Sequence, residues 1–331
     1  MNQVKKNILE TLISHTTELS LVEELIRSKF NSEAYLLREI PEYLLSLGGK
    51  RIRPILNLLC FKAIGEKVAT KDIISISAGI ELIHMATLLH DDIIDKSDLR
   101  RHQESAFRKY GLASTLLSGD FLLVRAFSLC STLPPEIIKK TEEACVALTE
   151  GEILETPLFS TKHTIESSLD IAKKKTAALF SLAGFSAGFL SKKSDNCCQN
   201  LFSFGENIGI AFQILDDILD ITSTKEKLGK PPGIDIRERK PSIVNILWLK
   251  TGSNSSKTLL TETDISDQTV LDSIDEIKKS GVIKEAKELA RDYAIKAKNQ
   301  FNKAIEEVES PDQNSISLID SLIEYTLERL V

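Results

Sequence analysis

Apolar residues recur at three- and four-residue steps along most of this chain, a rhythm that admits little besides amphipathic helix. Leu9, Leu12 and Ile13 are followed by Leu21, Val22, Leu25 and Ile26, so residues 4–46 are expected to be helical. Leu47-Gly48-Gly49 breaks the pattern, and a new apolar run begins at Ile52. The same spacing predicts helices over 72–96, 114–130, 136–156, 164–191, 198–221, 269–309 and 315–330. The helix over 164–191 carries Ala177, Ala178, Ala183, Gly184, Ala187 and Gly188. Side chains this small let a neighbouring helix approach closely, so this one should be central. Residues 222–242 hold prolines and clustered charge and read as a loop or broken segment. Residues 251–268 are Ser/Thr/Asp-rich, as a surface connection would be.

Only 15 glycines and 9 prolines in 331 residues leave too few turns for a β-sandwich or barrel. With 42% hydrophobic and 27% charged residues, the chain has enough apolar surface to fold and is not globally disordered. There is no repeat of fixed period and no long Gly/Ser- or Pro-rich linker. One all-α domain over 1–331 is the economical reading. Acidic residues outnumber basic ones by 48 to 42, which disfavours a general nucleic-acid binder. Cys60, Cys130, Cys145, Cys197 and Cys198 make no CxxC pair, so no zinc site is indicated and a reducing compartment is expected. The first twenty residues lack an apolar signal region, and no stretch reaches about 18 uninterrupted apolar residues. A cytoplasmic protein without a transmembrane segment is the expectation.

Two acidic clusters carry the chemistry. Asp91-Asp92-Ile93-Ile94-Asp95 and Asp216-Asp217-Ile218-Leu219-Asp220 each have the form DDxxD, and each ends an apolar helix. On a helix, i and i+4 share a face, so Asp91 points with Asp95 and Asp216 with Asp220. Like charges there are destabilising, and next to apolar residues an unpaired carboxylate costs more. A cation is needed. Mg²⁺ suits carboxylate oxygens and is usually held by one or two of them together with substrate phosphates. Basic groups stand apart from the clusters: Lys50, Arg51 and Arg53 after Gly48-Gly49, Arg100 and Arg101 beyond the first cluster, and Lys173–Lys175 opening a helix before Thr176. Lys225, Lys227, Lys230, Arg237, Arg239 and Lys240 follow the second cluster.

Together these residues resemble the trans-isoprenyl diphosphate synthases, or polyprenyl synthetases. The matching stretches are GGKRIRP (48–54), ELIHMATLLHDDIID (81–95), LRR (99–101), SGDFLL (118–123), KTA (175–177), FQILDDILD (212–220) and LGKPPGID (228–235). The resemblance implies a bundle of mostly antiparallel helices around a deep central cavity, usually a homodimer. It implies that Asp91 and Asp95 bind Mg²⁺ bridging an allylic diphosphate, with Asp216 binding a further Mg²⁺ from the opposite side and Asp92 and Asp220 in support. Arg100, Lys175 and Lys230 would contact the allylic diphosphate, with Thr176 and Gln213 near the hydrocarbon start or the reacting carbons. Lys50, Arg53, His84 and Arg101 would hold isopentenyl diphosphate. The sequence departs from the family in two loops. After Arg-Arg, where Gly and then Pro-Thr are common, stand His102-Gln103-Glu104-Ser105. The common EGKxT is replaced by Glu238-Arg239-Lys240-Pro241-Ser242.

The implied reaction is repeated head-to-tail prenyl transfer, and geometry sets the product length. An extended isoprene unit is roughly as long as one helix turn of ~5.4 Å, so side chains a turn before Asp91 act as a floor. Ala86 and Thr87 stand there and are small. The open floor points to a product of roughly thirty to fifty carbons, with octaprenyl diphosphate as the single expectation. The alternatives are a short-chain farnesyl or geranylgeranyl diphosphate synthase, a class I terpene cyclase, and a non-catalytic partner subunit. The second DDxxD and the second-substrate residues argue against a cyclase. A non-catalytic subunit would be expected to have lost aspartates, and all six are present.

Overall fold

The computed structural model describes residue 12 and residues 17–155, 162–224, 231–262 and 264–328. Two helices, α1 (Leu19–Ser28) and α2 (Tyr35–Ser46), occupy the first predicted stretch. After the glycine break come α3 (Ile52–Ala63) and the long α4 (Lys71–Ile94), whose start is fixed by Thr70 accepting a hydrogen bond from the Ile73 amide. A two-stranded antiparallel ribbon, β1 (Leu99–Arg100) with β2 (Gln103–Glu104), lies beyond the first acidic cluster. Then follow α5 (Ala106–Tyr110), α6 (Leu112–Cys130) and α7 (Pro135–Glu155).

The next helix starts at a capping box formed by Thr164 and Ser167. It runs as α8 (Ile165–Ala172), a π-helical turn over Lys173–Ala177, and α9 (Ala178–Leu190). Lys173–Lys175 therefore do not open a helix, as the sequence suggests, but sit within one. The wider turn there is the kind of local defect found at functional sites. The chain continues with α10 (Asp195–Thr222), α11 (Ile234–Arg237), α12 (Ile243–Lys250), α13 (Thr258–Thr261), α14 (Asp267–Lys279), α15 (Val282–Glu306) and α16 (Gln313–Glu328). The segment read as a loop over 222–242 thus contains the helical turn α11, and the polar connection contains α13. The predicted helix over 269–309 is divided at Gly281, which has a left-handed φ of +85°.

The small-residue stripe has the effect the sequence predicts. A Cβ on Gly184 of α9 would lie 2.1 Å from the Leu201 carbonyl oxygen of α10, and one on Gly205 of α10 would lie 2.1 Å from the Phe180 carbonyl oxygen. Glycine at both places lets the two backbones touch. One apolar cluster joins Leu56 and Leu59 of α3, Ile80 and Ile83 of α4, Phe180 of α9, Phe204 of α10 and Phe301 of α15. A second lies under the other end of α10, where Ile214 and Ile218 meet Ile236, Trp248 and Ile277. Trp248 is fully buried and its indole N–H donates to Glu276 at 2.9 Å, so its polar atom is not stranded.

A buried polar triad fixes how three helices meet. The Asn57 amide donates to the Ala183 carbonyl (2.6 Å) and to Ser186 (3.0 Å), while its oxygen accepts from Ser77 (2.6 Å). Satisfied networks of this kind select one packing of α3, α4 and α9 over others. Helices α4 and α6 are long and apolar enough to cross a membrane by length and composition. In α4, 72% of the apolar window is buried inside the fold, against 33% in α6. The face that α6 leaves uncovered includes Leu112, Leu117 and Val124.

Candidate active site

The fold forms a half-open cavity of about 1370 Å³. Ligand pockets usually hold about 300–1,000 Å³, so this one suits a large ligand. Its walls are apolar where Ile83, Leu88, Leu123, Phe127, Val146 and Leu148 meet, and charged elsewhere. Helix α4 supplies Glu81, His84, Thr87 and Asp91, which the helical repeat places along one face of the cavity.

One charged region is cationic. Lys50, Arg51, Arg53 and Arg101 all line the cavity. Gly49 makes room for two of them: a Cβ there would lie 2.2 Å from Arg51 Nη1 and 3.1 Å from Arg101 Nη1. Arg51 is buried and ion-pairs with Glu23 (3.1 Å) and with buried Glu81 (3.3 Å). Arg53 lays its guanidinium 4.9 Å from the centre of the Phe180 ring, and its buried Nε has no hydrogen-bond partner. Burial pulls the Arg53 pKa down, with Glu81 and Asp216 opposing. Burial also raises the Glu81 pKa against the pull of Arg51, Arg53 and Arg101. His84 is held well below its ordinary value by burial and by the surrounding arginines, so it is neutral at pH 7 and offers an N–H rather than a charge. Positive charge outweighs negative here, and a buried guanidinium N–H lacks an acceptor. An anion such as a diphosphate meets both demands.

The departure at His102 has a structural reason. Arg101 and His102 form the two-residue loop of the β1–β2 ribbon with φ of +52° and +68°, the left-handed pair that such hairpins require. Glycine adopts that geometry freely. Here two larger residues do, and the turn carries Arg101 into the cavity wall. Ser105 then caps α5 by accepting from the Arg108 amide at 3.1 Å.

The other charged region mixes acids and lysines. Asp91 lines the main cavity, and burial pushes its carboxyl up to about 7, with Glu152 and Asp95 adding to the rise and Lys175 and Arg100 opposing it. The π-helical turn brings Lys175 between Glu152 (2.7 Å) and Glu155 (2.5 Å). Thr176 donates to Gln213 at 2.5 Å, and the Gln213 amide donates to Asp217 at 2.9 Å. Asp216 borders the main cavity and also a smaller pocket of about 340 Å³, lined by Glu155, Lys175, Asp220, Asp235 and Lys240. Asp217 and Asp220 are buried supports. Asp217 accepts the Ile243 amide (2.9 Å), and Asp220 accepts the amides of Ile234 (3.3 Å) and Asp235 (3.1 Å).

Of the residues singled out by sequence, Lys50, Arg53, His84, Thr87, Asp91, Arg101, Lys175, Thr176, Gln213 and Asp216 all line the main cavity. Three others stand elsewhere. Asp95 ends α4 paired with Lys240. Arg100 is committed to buried Asp92, at 2.6 and 2.8 Å. Ala86 is fully buried in the core and does not border the cavity, because one step along α4 turns its side chain away from the face that carries Thr87. Lys230 lies outside the described residues. The sequence also missed participants. Lys240 stands on the lysine of the stretch compared with EGKxT but is given no role by the sequence, and Glu81, Glu152 and Glu155 become relevant only through partners distant in sequence.

Among the described residues, no three His, Cys, Asp or Glu side chains gather closely enough to hold a metal alone. The donor set still fits a hard cation that keeps several waters and completes its shell with substrate phosphate, since carboxylates from two helix ends border pockets also lined by lysines.

A helical bundle around an apolar cavity, with a cationic subsite and two carboxylate-bearing helix ends, defines a protein that handles a greasy diphosphate. Residues 34–280 match the family model described as polyprenyl synthetase. The chain is 31% identical over 316 residues to octaprenyl diphosphate synthase of Haemophilus influenzae, covering 94% of each. The fold superposes with a TM-score of 0.88 on heptaprenyl diphosphate synthase from Staphylococcus aureus, at 30% identity over 95% of this chain and 98% of that one. It superposes equally, at 0.88, on a polyprenyl synthase from Caulobacter crescentus solved with calcium and isoprenyl diphosphate, at 28% identity over 98% of each. The chain belongs to the polyprenyl synthetase family. It is a prenyltransferase.

Proposed function

We propose that this enzyme condenses an allylic diphosphate repeatedly with isopentenyl diphosphate to give a long all-trans polyprenyl diphosphate, with octaprenyl diphosphate as the specific product. The observation that carries the proposal is the cavity itself. Its volume of about 1370 Å³, its apolar wall on α6 and α7, and its two separate charged regions match a growing hydrocarbon fed by two diphosphates.

In this reading Lys50, Arg53, His84 and Arg101 hold the diphosphate of isopentenyl diphosphate. The allylic diphosphate lies against Lys175 and Lys240; Arg100 acts through Asp92. Asp91, Asp95 and Asp216 would hold Mg²⁺, which supplies Lewis acidity to the departing diphosphate. The lysines stabilise the negative charge that develops on it. Thr176 and Gln213 present oxygen dipoles where the allylic carbon becomes cationic. Phe180 and Phe212, with ring centres 5.9 Å apart, line the wall beside them. Their faces favour positive charge and exclude water from it. The released pyrophosphate takes the final proton, so no dedicated protein base is required.

A second copy of the chain is proposed to cover the exposed apolar face of α6, where Leu112, Leu117 and Val124 lie uncovered. The reaction is tested by following pyrophosphate release. It should require both substrates and stop with EDTA. Release from the allylic substrate alone would indicate a cyclase and overturn the proposal.

A further inference from the structure

We infer that Tyr325 is a positioning residue for the second substrate, acting by fixing the ammonium of Lys50. The inference rests on the proposed role of Lys50 toward isopentenyl diphosphate. Among the four residues assigned to that diphosphate, Arg53 and Arg101 are restrained by packing against Phe180 and Gly49, and His84 lies within α4. Lys50 differs. It lies in the exposed stretch that precedes α3, at the end of a flexible four-carbon stem. Left to itself, such a side chain spreads over many rotamers, and ordering it on binding costs affinity.

Tyr325 removes much of that freedom. Its hydroxyl accepts a hydrogen bond from Lys50 Nζ at 2.9 Å, and the same ammonium stands 5.4 Å from the centre of its ring. Tyr325 is only 6% exposed, and its helix is anchored in the core by Leu318, Ile319, Leu322 and Ile323. The hydroxyl is therefore a fixed point. An ammonium has three donors, so one bond to Tyr325 leaves two for a phosphate at the cavity rim. Residues 275 positions apart in sequence are joined in this way, which is why periodicity and motif spacing give no sign of it.

The test compares wild type, Tyr325→Phe, Lys50→Ala and the double variant, with KM measured separately for each diphosphate. Tyr325→Phe keeps the packed ring and removes only the acceptor. It should raise the isopentenyl diphosphate KM about five-fold, leaving kcat, the allylic KM and the thermal midpoint near wild type. Lys50→Ala should raise the same KM by about ten-fold or more, and adding Tyr325→Phe to it should change nothing further. An unchanged KM in Tyr325→Phe, with Lys50→Ala impaired, overturns the role of Tyr325 alone. An equal effect of Tyr325→Phe with or without Lys50, or a uniform loss with a lowered thermal midpoint, also overturns it. An unchanged KM in Lys50→Ala instead overturns the underlying assignment of Lys50.

Discussion

Lys240 Nζ stands 3.0 Å from Asp95 Oδ1, so a residue beyond the second acidic cluster closes an ion pair with the last carboxylate of the first. The same ammonium lies 2.9 Å from Glu238 and 3.9 Å from Glu155. Burial works against its charge, but Asp95, Glu155, Asp235 and Glu238 outweigh burial and raise its pKa. A fixed cation thus sits between two sets of carboxylates, where a leaving diphosphate would need one. Lys240→Ala should lower kcat/KM for the allylic diphosphate by about 100-fold, the usual cost of losing a group aimed at developing charge. The isopentenyl diphosphate KM should not move. Steady-state kinetics with each substrate varied in turn checks this, and an isopentenyl-specific defect would contradict it.

Asp91 makes the stability of the metal-free protein depend on pH. An aspartate in an unfolded chain titrates near ~4, whereas burial holds Asp91 at about 7. Between those values the folded state holds the extra proton. Its contribution to stability therefore falls as pH rises from about 4 through about 7. Asp91→Asn should raise the metal-free thermal midpoint at pH 8 by about 2 °C or more, with little effect at pH 4, while activity is lost. Added Mg²⁺ with pyrophosphate should stabilise the wild type more at pH 8 than at pH 6. Thermal melts across that range decide it.

Arg239 stands where glycine is common in the family, and its φ of +56° shows why glycine would be at ease there. The left-handed backbone costs a non-glycine residue roughly 1–2 kcal/mol. Against that, the buried guanidinium donates from Nε to the Leu259 carbonyl at 2.8 Å, tying its own turn to α13. A charged hydrogen bond of this kind contributes roughly 1.5–3 kcal/mol, so the two terms nearly offset. Arg239→Ala loses the bond and keeps the strain. Arg239→Gly loses the bond and relieves the strain. Denaturant titration should therefore rank wild type and Arg239→Gly close together, with Arg239→Ala least stable by about 1 kcal/mol or more.

Adjacent residues on α4 should respond differently to the same change. Thr87 borders the cavity and Ala86 is fully buried in the core. Thr87→Phe should shorten the product toward fifteen or twenty carbons, about one helix turn below the acidic cluster. Ala86→Phe should instead overpack the core, costing about 1–3 kcal/mol, with no specific shortening in whatever folds. Product analysis and thermal melts together separate the two outcomes.

The helices and the acidic clusters were legible because both are local patterns: an apolar repeat for α4 and α10, and i,i+4 carboxylates at their ends. The close approach of α9 to α10 was legible in Gly184 and its small neighbours. Less local features were not. The π-helical turn at Lys173–Ala177 leaves no mark on a periodicity already broken by three lysines. Arg100 reads as a free phosphate ligand until its pairing with Asp92 is seen. The left-handed turn at Arg101 and His102 is disguised by the absence of glycine. Whether Thr87 or Ala86 faces the cavity depends on about 100° of rotation per residue, which spacing from the acidic cluster leaves open.

The most direct test of the account is the product distribution. The purified protein is incubated with farnesyl diphosphate, radiolabelled isopentenyl diphosphate and Mg²⁺, and the dephosphorylated products are separated by chain length. A ladder that ends near forty carbons and disappears with EDTA is the expected result. Products that stop at fifteen or twenty carbons would contradict the long-chain assignment, and no incorporation from any allylic primer would contradict the proposed synthase activity itself.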